Sequence, residues 1–331
     1  MDVGADDRCQ WVDELTPGKG GRPDDMDTWL ADLLHASGGL DDRWSLYVRT
    51  VDSGVSGSVR GDLPMDTMSV IKVPLLLLLL ELAHAGQVNL DQRIEVTTGR
   101  KRLGTGVLST LTDGLKITLH DAAVLMATVS DNTATDIVFE AVGGPVQLNA
   151  ALASRGLDGI QAPGTAFDWF RALAASMDSA CASYSPEELF VKGYPVTDRE
   201  GVLEARTHFH FHSGVRFGVG TADEFGRLMG MLERREYADS SVCEEALRIL
   251  AMQTSTSRIP RYLPASTIVR HKAGDFAPFI ANDVGIVTPW KGSPIILSMF
   301  SQKNTKAWGF AEEVMSRVAL GCFEYFAEHA N

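Results

Sequence analysis

Cysteine is scarce in this chain: four in 331 residues, Cys9, Cys181, Cys243 and Cys322, none of them in a C-x-x-C pair. That spacing excludes a zinc ribbon and a thioredoxin-like redox centre. It leaves free, partly buried thiols as the simplest reading, with Cys9 and Cys322 able to meet only if the termini pack together. Long apolar runs are equally absent. The most apolar stretch, 73–80 with its six consecutive leucines, is closed at once by Glu81. It falls far short of the ~20 residues a bilayer requires and predicts a buried core helix. Positive charge is in deficit, since 30 Lys and Arg against 43 Asp and Glu give −13. Such a surface repels phosphate backbones and anionic lipid, so nucleic acid and membrane surfaces are poor partners. The first ten residues carry Asp2, Asp6 and Asp7 and no apolar run, the opposite of a secretory signal; the expected location is cytoplasmic if this is the natural start, and export is the alternative if the start was trimmed.

What is present is the composition of a globular protein, with 45% hydrophobic and 22% charged residues, which excludes wholesale disorder and coiled coil. The length suggests about two domains. Residues 1–25 are polar and Gly/Asp-rich and are expected to form a loose arm. Helical spacing of apolar residues marks 25–35, 69–84, 119–128, 133–141, 146–153, 222–234, 244–252 and a final amphipathic helix over 306–329. Alternation or β-rich composition marks strands at 44–51, 267–270, 283–288 and 295–300, with a turn at Ser53-Gly54 into a further short strand. The C-terminal aromatics Trp290, Trp308, Phe310, Phe323, Tyr325 and Phe326 read as packing residues. Segment 160–220 carries no long periodic stretch and reads as an atypical loop. Strands at both ends with a helical middle predict an α/β fold, an antiparallel sheet flanked by helices plus an all-helical domain. Residues 1–64 and 260–331 form the discontinuous sheet part and 65–259 the helical part.

Three separated motifs carry the chemistry. The first is Ser69-Val70-Ile71-Lys72: at i and i+3 on a helix the Lys72 ammonium shares a face with the Ser69 hydroxyl. A serine hydroxyl is a weak nucleophile that needs a neighbouring base, and a lysine whose charge is disfavoured by burial can serve. At a helix start the Ser69 N–H is also open to an oxyanion. The second motif is Ser130-Asp131-Asn132, between two apolar helices. The third is His271-Lys272-Ala273-Gly274, after the strand over 267–270. S-x-x-K alone is common by chance; the three in this order are specific.

With these motifs in place the chain resembles the class A β-lactamase-like serine hydrolases, from roughly Trp44 to the C-terminal helix. The resemblance also takes in Gly86 to Asp91, Gly104 to Leu108, Leu119-His120-Asp121 and Asn282 to Gly285. It implies an active site at the junction of the sheet and helical parts, without cofactor or metal. Carried over, Ser69 would be the acylated nucleophile and Lys72 its base or proton relay. Ser130 would pass a proton to the leaving nitrogen, and Asn132 would hold a substrate side-chain amide. Lys272 would supply positive charge for a substrate carboxylate, and the N–H groups of Ser69 and Asp275, beside Ala273 and Gly274, would form the oxyanion hole. The implied partner is a small molecule with an amide or lactam and a carboxylate. Two departures stand out. No E-P-x-L-N element occurs between Gly159 and Gly220, so the carboxylate that activates the deacylating water is missing. Ala273 stands where the family usually has Thr or Ser, removing one hydroxyl.

Three functions remain open on these residues: hydrolysis of an amide or lactam, transfer of the acyl group to an amine or alcohol in a biosynthetic amidase, acyltransferase or cyclase, and silent ligand binding by a sensor. Asp131 reads as a backbone cap and His271 as packing away from Lys272. Met229, Met231, Phe225 and Leu228 read as helix core. His208, His210 and His212 alternate, so on a strand all three would share a face; without an acidic or cysteine partner they more simply line a pocket than bind metal.

Overall fold

The structure, a computed structural model, describes residues 25–39 and 43–328. The arm expected before Asp25 and any meeting of Cys9 with Cys322 lie outside the described residues; Cys322 itself is buried. Asp25 accepts from the Asp27 N–H and caps helix α1 (Met26–Ala36), whose Leu30, Leu33 and Leu34 are buried. Strands β1 (Trp44–Thr50) and β2 (Ser56–Val59) follow, and the chain returns to the same sheet at its far end with β7 (Ile268–Phe276), β8 (Ile280–Thr288) and β9 (Ile295–Ser301). The order is β2-β1-β9-β8-β7, every neighbour antiparallel. β9 is buried along its whole length because both sheet faces are covered. Leu297 and Met299 join Leu30, Leu34 and residues Val314 and Val318 of α11 (Trp308–Glu328) in one core. Ile296 and Phe300, one step out of phase, join the larger core on the other face.

Between the halves of the sheet the chain makes β3 (Met65–Asp66), a 3₁₀ turn (Met68–Ile71) and α2 (Lys72–His84). The single helix expected from Ser69 thus begins as the tighter turn. Every residue from Lys72 to Leu80 is buried, as befits a helix apolar on all sides. Pro74 sits in the first helical turn, where a missing N–H costs least. A hairpin of β4 (Arg93–Val96) and β5 (Leu115–Thr118) precedes α3 (Leu119–Thr128), which opens with a capping box between Thr118 and Asp121. Helices α4 (Asn132–Val142) and α5 (Gly144–Ala153) come next, hinged at Gly143 with φ 88°.

Segment 160–220 departs from the expectation. It holds three helices, α6 (Ala166–Met177), α7 (Pro186–Lys192) and α8 (Arg199–His212), and then β6 (Val219–Gly220) paired with β3. Thr165 with Asp168 and Ser185 with Glu188 form capping boxes, and Asp198 accepts from Gly201 N. The histidines therefore lie on a helix and do not share one face. His208 and His212, four apart, stand 5.0 Å ring to ring, while His210 stacks on Phe279 at 5.0 Å. Burial pushes His210 down to about 4, and its Nε2 accepts from Lys303 N at 3.3 Å. Helices α9 (Ala222–Glu233) and α10 (Ser240–Leu250) close the helical layer, with Phe225, Leu228 and Met229 fully buried. Phe225 meets Phe300 of the sheet at 5.5 Å. The expected packing role of Trp290 is corrected: it is 81% exposed, at the turn between β8 and β9, whereas Tyr325 and Phe326 are buried. Among the described residues no helix is long and apolar enough to cross a membrane.

Candidate active site

Ser69 lies in the 3₁₀ turn that leads into α2, where the sheet edge meets the helices. Its neighbour Met68 adopts φ 46°, and the Met68 N–H donates to Asp66 Oδ1 at 3.1 Å. A left-handed conformation in a non-glycine residue costs of order 1–3 kcal/mol and persists only where its surroundings enforce it. Strand β7 packs directly against this turn. A Cβ on Gly274 would stand 2.6 Å from Thr67 O and 3.0 Å from Ser69 N, so only glycine allows this approach. The Ser69 amide and the end of β7 are thereby brought side by side, the arrangement two oxyanion donors require. The His271-Lys272-Ala273-Gly274 motif lies within β7 rather than after a strand ending at Arg270.

Lys72, in the first turn of α2, is 1% exposed. Its Nζ donates to Ser130 O at 2.8 Å, Ser130 Oγ at 3.0 Å and Asn132 Oδ1 at 2.9 Å. Those bonds run to the S-D-N segment and not to Ser69. Burial first, and the like charge of Lys272 second, hold the ammonium well below the usual lysine range. The three donated bonds are those of the ammonium, and the lowered range is the condition under which a lysine can give up that proton and act as a base. Ser130 is the second strained residue, with φ 59°, and its carbonyl also accepts from Thr105 Oγ1 at 2.8 Å. Asp131 is fully buried and accepts from the N–H groups of Val107, Leu108 and Ala134, the backbone-capping role expected of it. Asn132 Nδ2 donates to Leu103 O at 3.0 Å and keeps a second N–H for a ligand.

Lys272 is also 1% exposed; its Nζ donates to Ala273 O at 2.7 Å, and burial brings it down to about 8. Ala273 packs opposite Asp283 and does not face the cavity. His271 turns away from Lys272, with Nδ1 2.9 Å from Asp283 Oδ1. Buried Arg258, unnoticed in the sequence, ties this end together by bonding Asp275 Oδ1, Asn282 O at 2.7 Å and Glu312 Oε1 at 3.3 Å. Asp66 was missed as well. It is buried under the Ser69 turn, and burial raises its carboxyl to about 6. Neither residue belongs to a local pattern, so only the fold reveals them.

Ser69, Ser130, Asn132 and Asp275 all face one cavity of about 320 Å³, while Lys72, Lys272 and Gly274 stand behind its wall. The far wall comes from segment 160–220: Trp169, Phe170 and Leu173 of α6, Tyr194 in the link between α7 and α8, Val202 and Arg206 of α8, and Phe217. Among the described residues, no carboxylate of segment 160–220 lines it. Asp168 is taken up in capping α6 and in an ion pair with Arg171, and Glu204 and His208 are exposed. Nor do any three described His, Cys, Asp or Glu side chains form a group able to hold a metal.

A five-stranded antiparallel sheet packed against helices, with S-x-x-K, S-D-N and a lysine-bearing edge strand around one cavity, defines the class of serine β-lactamase and penicillin-binding folds. Within that class the chain belongs to the β-lactamase enzyme family, whose model matches residues 27–326. The regulatory protein BlaB of Streptomyces cacaoi, named for β-lactamase regulation, is 37% identical over 112 residues, 34% of this chain. The chain thus spans about a third (35%) of that relative's length. The extended-spectrum β-lactamase PER-1 of Pseudomonas aeruginosa is 20% identical over 265 residues, 78% of this chain and 74% of PER-1. Among solved structures, a β-lactamase from Sphaerobacter thermophilus superposes with a TM-score of 0.70 at 21% identity, covering 90% of this chain and 97% of that one. A mutant of PBP-A in an acyl-enzyme complex with penicillin-G gives 0.66 at 20% identity, covering 89% and 97%. At such identity the structural likeness shows the shared fold.

Proposed function

We propose that the protein is a serine acyl-enzyme hydrolase acting on an amide or lactam bond, with β-lactams as the default substrates. The observation that carries this reading is buried Lys72, its charge disfavoured, bonded to Ser130 Oγ and Asn132 Oδ1 beside the cavity that Ser69 faces. Ser69 Oγ adds to the carbonyl as its proton leaves to neutral Lys72. The oxyanion forms against the N–H groups of Ser69 and Asp275. When the C–N bond breaks, the proton travels from Lys72 through Ser130 Oγ to the leaving nitrogen, and an ester on Ser69 remains. Water then cleaves the ester.

A second reading is transfer of the acyl group to an amine or alcohol, by an amidase, acyltransferase or cyclase. The cavity wall supports it, because none of its described residues from segment 160–220 is a base that would activate water. A long-lived ester would also serve a sensor, a role that the partial match to a regulatory protein supports. Labelling with a fluorescent penicillin followed by intact-mass measurement tests the shared step. Ser69→Ala is expected to lose the adduct and keep the native melting transition; an adduct retained in that variant removes the nucleophile assignment.

A further inference from the structure

Arg206 reaches the cavity from α8, on the wall that segment 160–220 supplies. Its guanidinium lies 4.6 Å over the ring of Phe276. Its Nε is buried without a hydrogen-bond partner, and among the described residues no carboxylate stands within ion-pair distance of it. With Nε closed off, the two terminal nitrogens are the part of the guanidinium that meets the cavity, and a carboxylate received by both fits the planar two-bond geometry that arginine favours. Asp275, the acidic residue on the cavity wall, is already held by Arg258. This leaves Arg206 as the positive group on the cavity wall without a carboxylate partner among the described residues, against the overall negative charge of the chain.

Position along β7 says which part of a substrate meets Arg206. Lys272, Gly274 and Phe276 alternate onto one face of the strand. Gly274 abuts Ser69 N, so the reacting carbonyl sits between the other two. At ~3.3 Å per residue Lys272 and Phe276 are about 13 Å apart. The leaving group extends toward Lys272 and Ser130, and the acyl group toward Phe276 and its Arg206. We infer that Arg206 anchors a carboxylate on the acyl part of the substrate, whose apolar body packs on Trp169, Phe170 and Phe276. This is a second anion position, separate from the one at Lys272. It rests on the reading of Ser69 as the acylated residue.

The test uses benzylpenicillin and its α-carboxy derivative, which differ by one carboxylate on the acyl side chain. Their acylation rate constants are compared in the native protein, Arg206→Gln and Arg206→Lys, and their binding is compared by calorimetry on a Ser69→Ala background. The native protein is expected to prefer the carboxylated compound, and Arg206→Gln to lose that preference by about 10- to 100-fold, the scale of a charged hydrogen-bond pair. Arg206→Lys, which keeps the charge over Phe276, is expected to retain part of the preference. An unchanged preference in both variants overturns the assignment. Discrimination in binding without any acylation removes the acyl-enzyme reading and leaves the Arg206 assignment standing. Acylation with no discrimination does the reverse, and binding of neither compound overturns both.

Discussion

The composition of the cavity wall fixes how fast the acyl-enzyme should break down. The proposed acylation uses Ser69, Lys72, Ser130 and two backbone donors, all gathered around one cavity. Breakdown needs a base for the attacking water, and segment 160–220 presents to the cavity only apolar side chains, Tyr194 and the cation Arg206. General-base assistance is worth ~10²–10⁴-fold, or about 3 to 5 kcal/mol. Taking about 10² s⁻¹ for an assisted step, within the ordinary range of turnover, the unassisted step falls to about 1 to 0.01 s⁻¹ and the ester lives roughly 1 to 100 s. Mixing with a chromogenic cephalosporin in a stopped-flow instrument should therefore give a burst of one equivalent followed by a slow steady rate. Intact mass measured during the slow phase should show most of the protein acylated on Ser69. Rapid linear turnover with no accumulated adduct would refute the reasoning, and a scan of Asp168, Glu204 and His208 would then be the search for the base.

Lys72→Arg keeps the positive charge but cannot give up its proton, and is expected to slow acylation at least ~100-fold; an acylation rate near native would remove Lys72 as the base. Gly274→Ala sets a Cβ against the backbone of Thr67 and Ser69 and so displaces the oxyanion donors. Acylation should fall ~10²–10³-fold, the scale of one lost donor, and a native rate would mean the Ser69 amide does not meet the oxyanion. Asp66 links stability to pH. Between 3.8 and about 6 the folded state keeps a proton that the unfolded chain has released, so stability falls as pH rises through that window and stays lower above it. The full cost is of the order of 3 kcal/mol, at 1.36 kcal/mol per tenfold step. Asp66→Asn, which can still accept from Met68 N, should raise the urea midpoint at pH 8 and much less at pH 4; an equal effect at both would show that Asp66 does not carry this cost.

The motifs were legible because each is local. Ser69 with Lys72 is a spacing, Ser130 to Asn132 a tripeptide, and Lys272 with Gly274 a stretch of one strand. The helices of segment 160–220 were hidden for the opposite reason. α8 carries a His/Phe alternation that imitates a strand, yet its cap at Asp198 and the packing of Phe209 on Trp169, 5.5 Å apart, decide for a helix. The capping boxes at Thr165 and Ser185 were signals available in the sequence. Arg258 and Asp66 carried none: their meaning comes from partners brought in by the fold, such as Asp275 and Glu312 for Arg258. Arg206 differs from them in meeting a cavity with no such partner.

The enclosure of α2 has a dynamic consequence. Lys72 stands on a helix whose first nine residues are all buried, so the amide hydrogens of that stretch should be among the slowest in the molecule to exchange. On the opposite wall α6 is firmly seated, with Trp169, Phe170 and Leu173 buried, but α8 is held more lightly, with Phe209 its one buried residue. Local opening of α8 costs less than global unfolding, and that part of the wall can breathe to admit or release a ligand while Ser69 and Lys72 stay in register. Substitutions at Val202 and Arg206 of α8 can then change which ligands are accepted at little cost to the end built on α2, so the two properties are free to evolve at different rates.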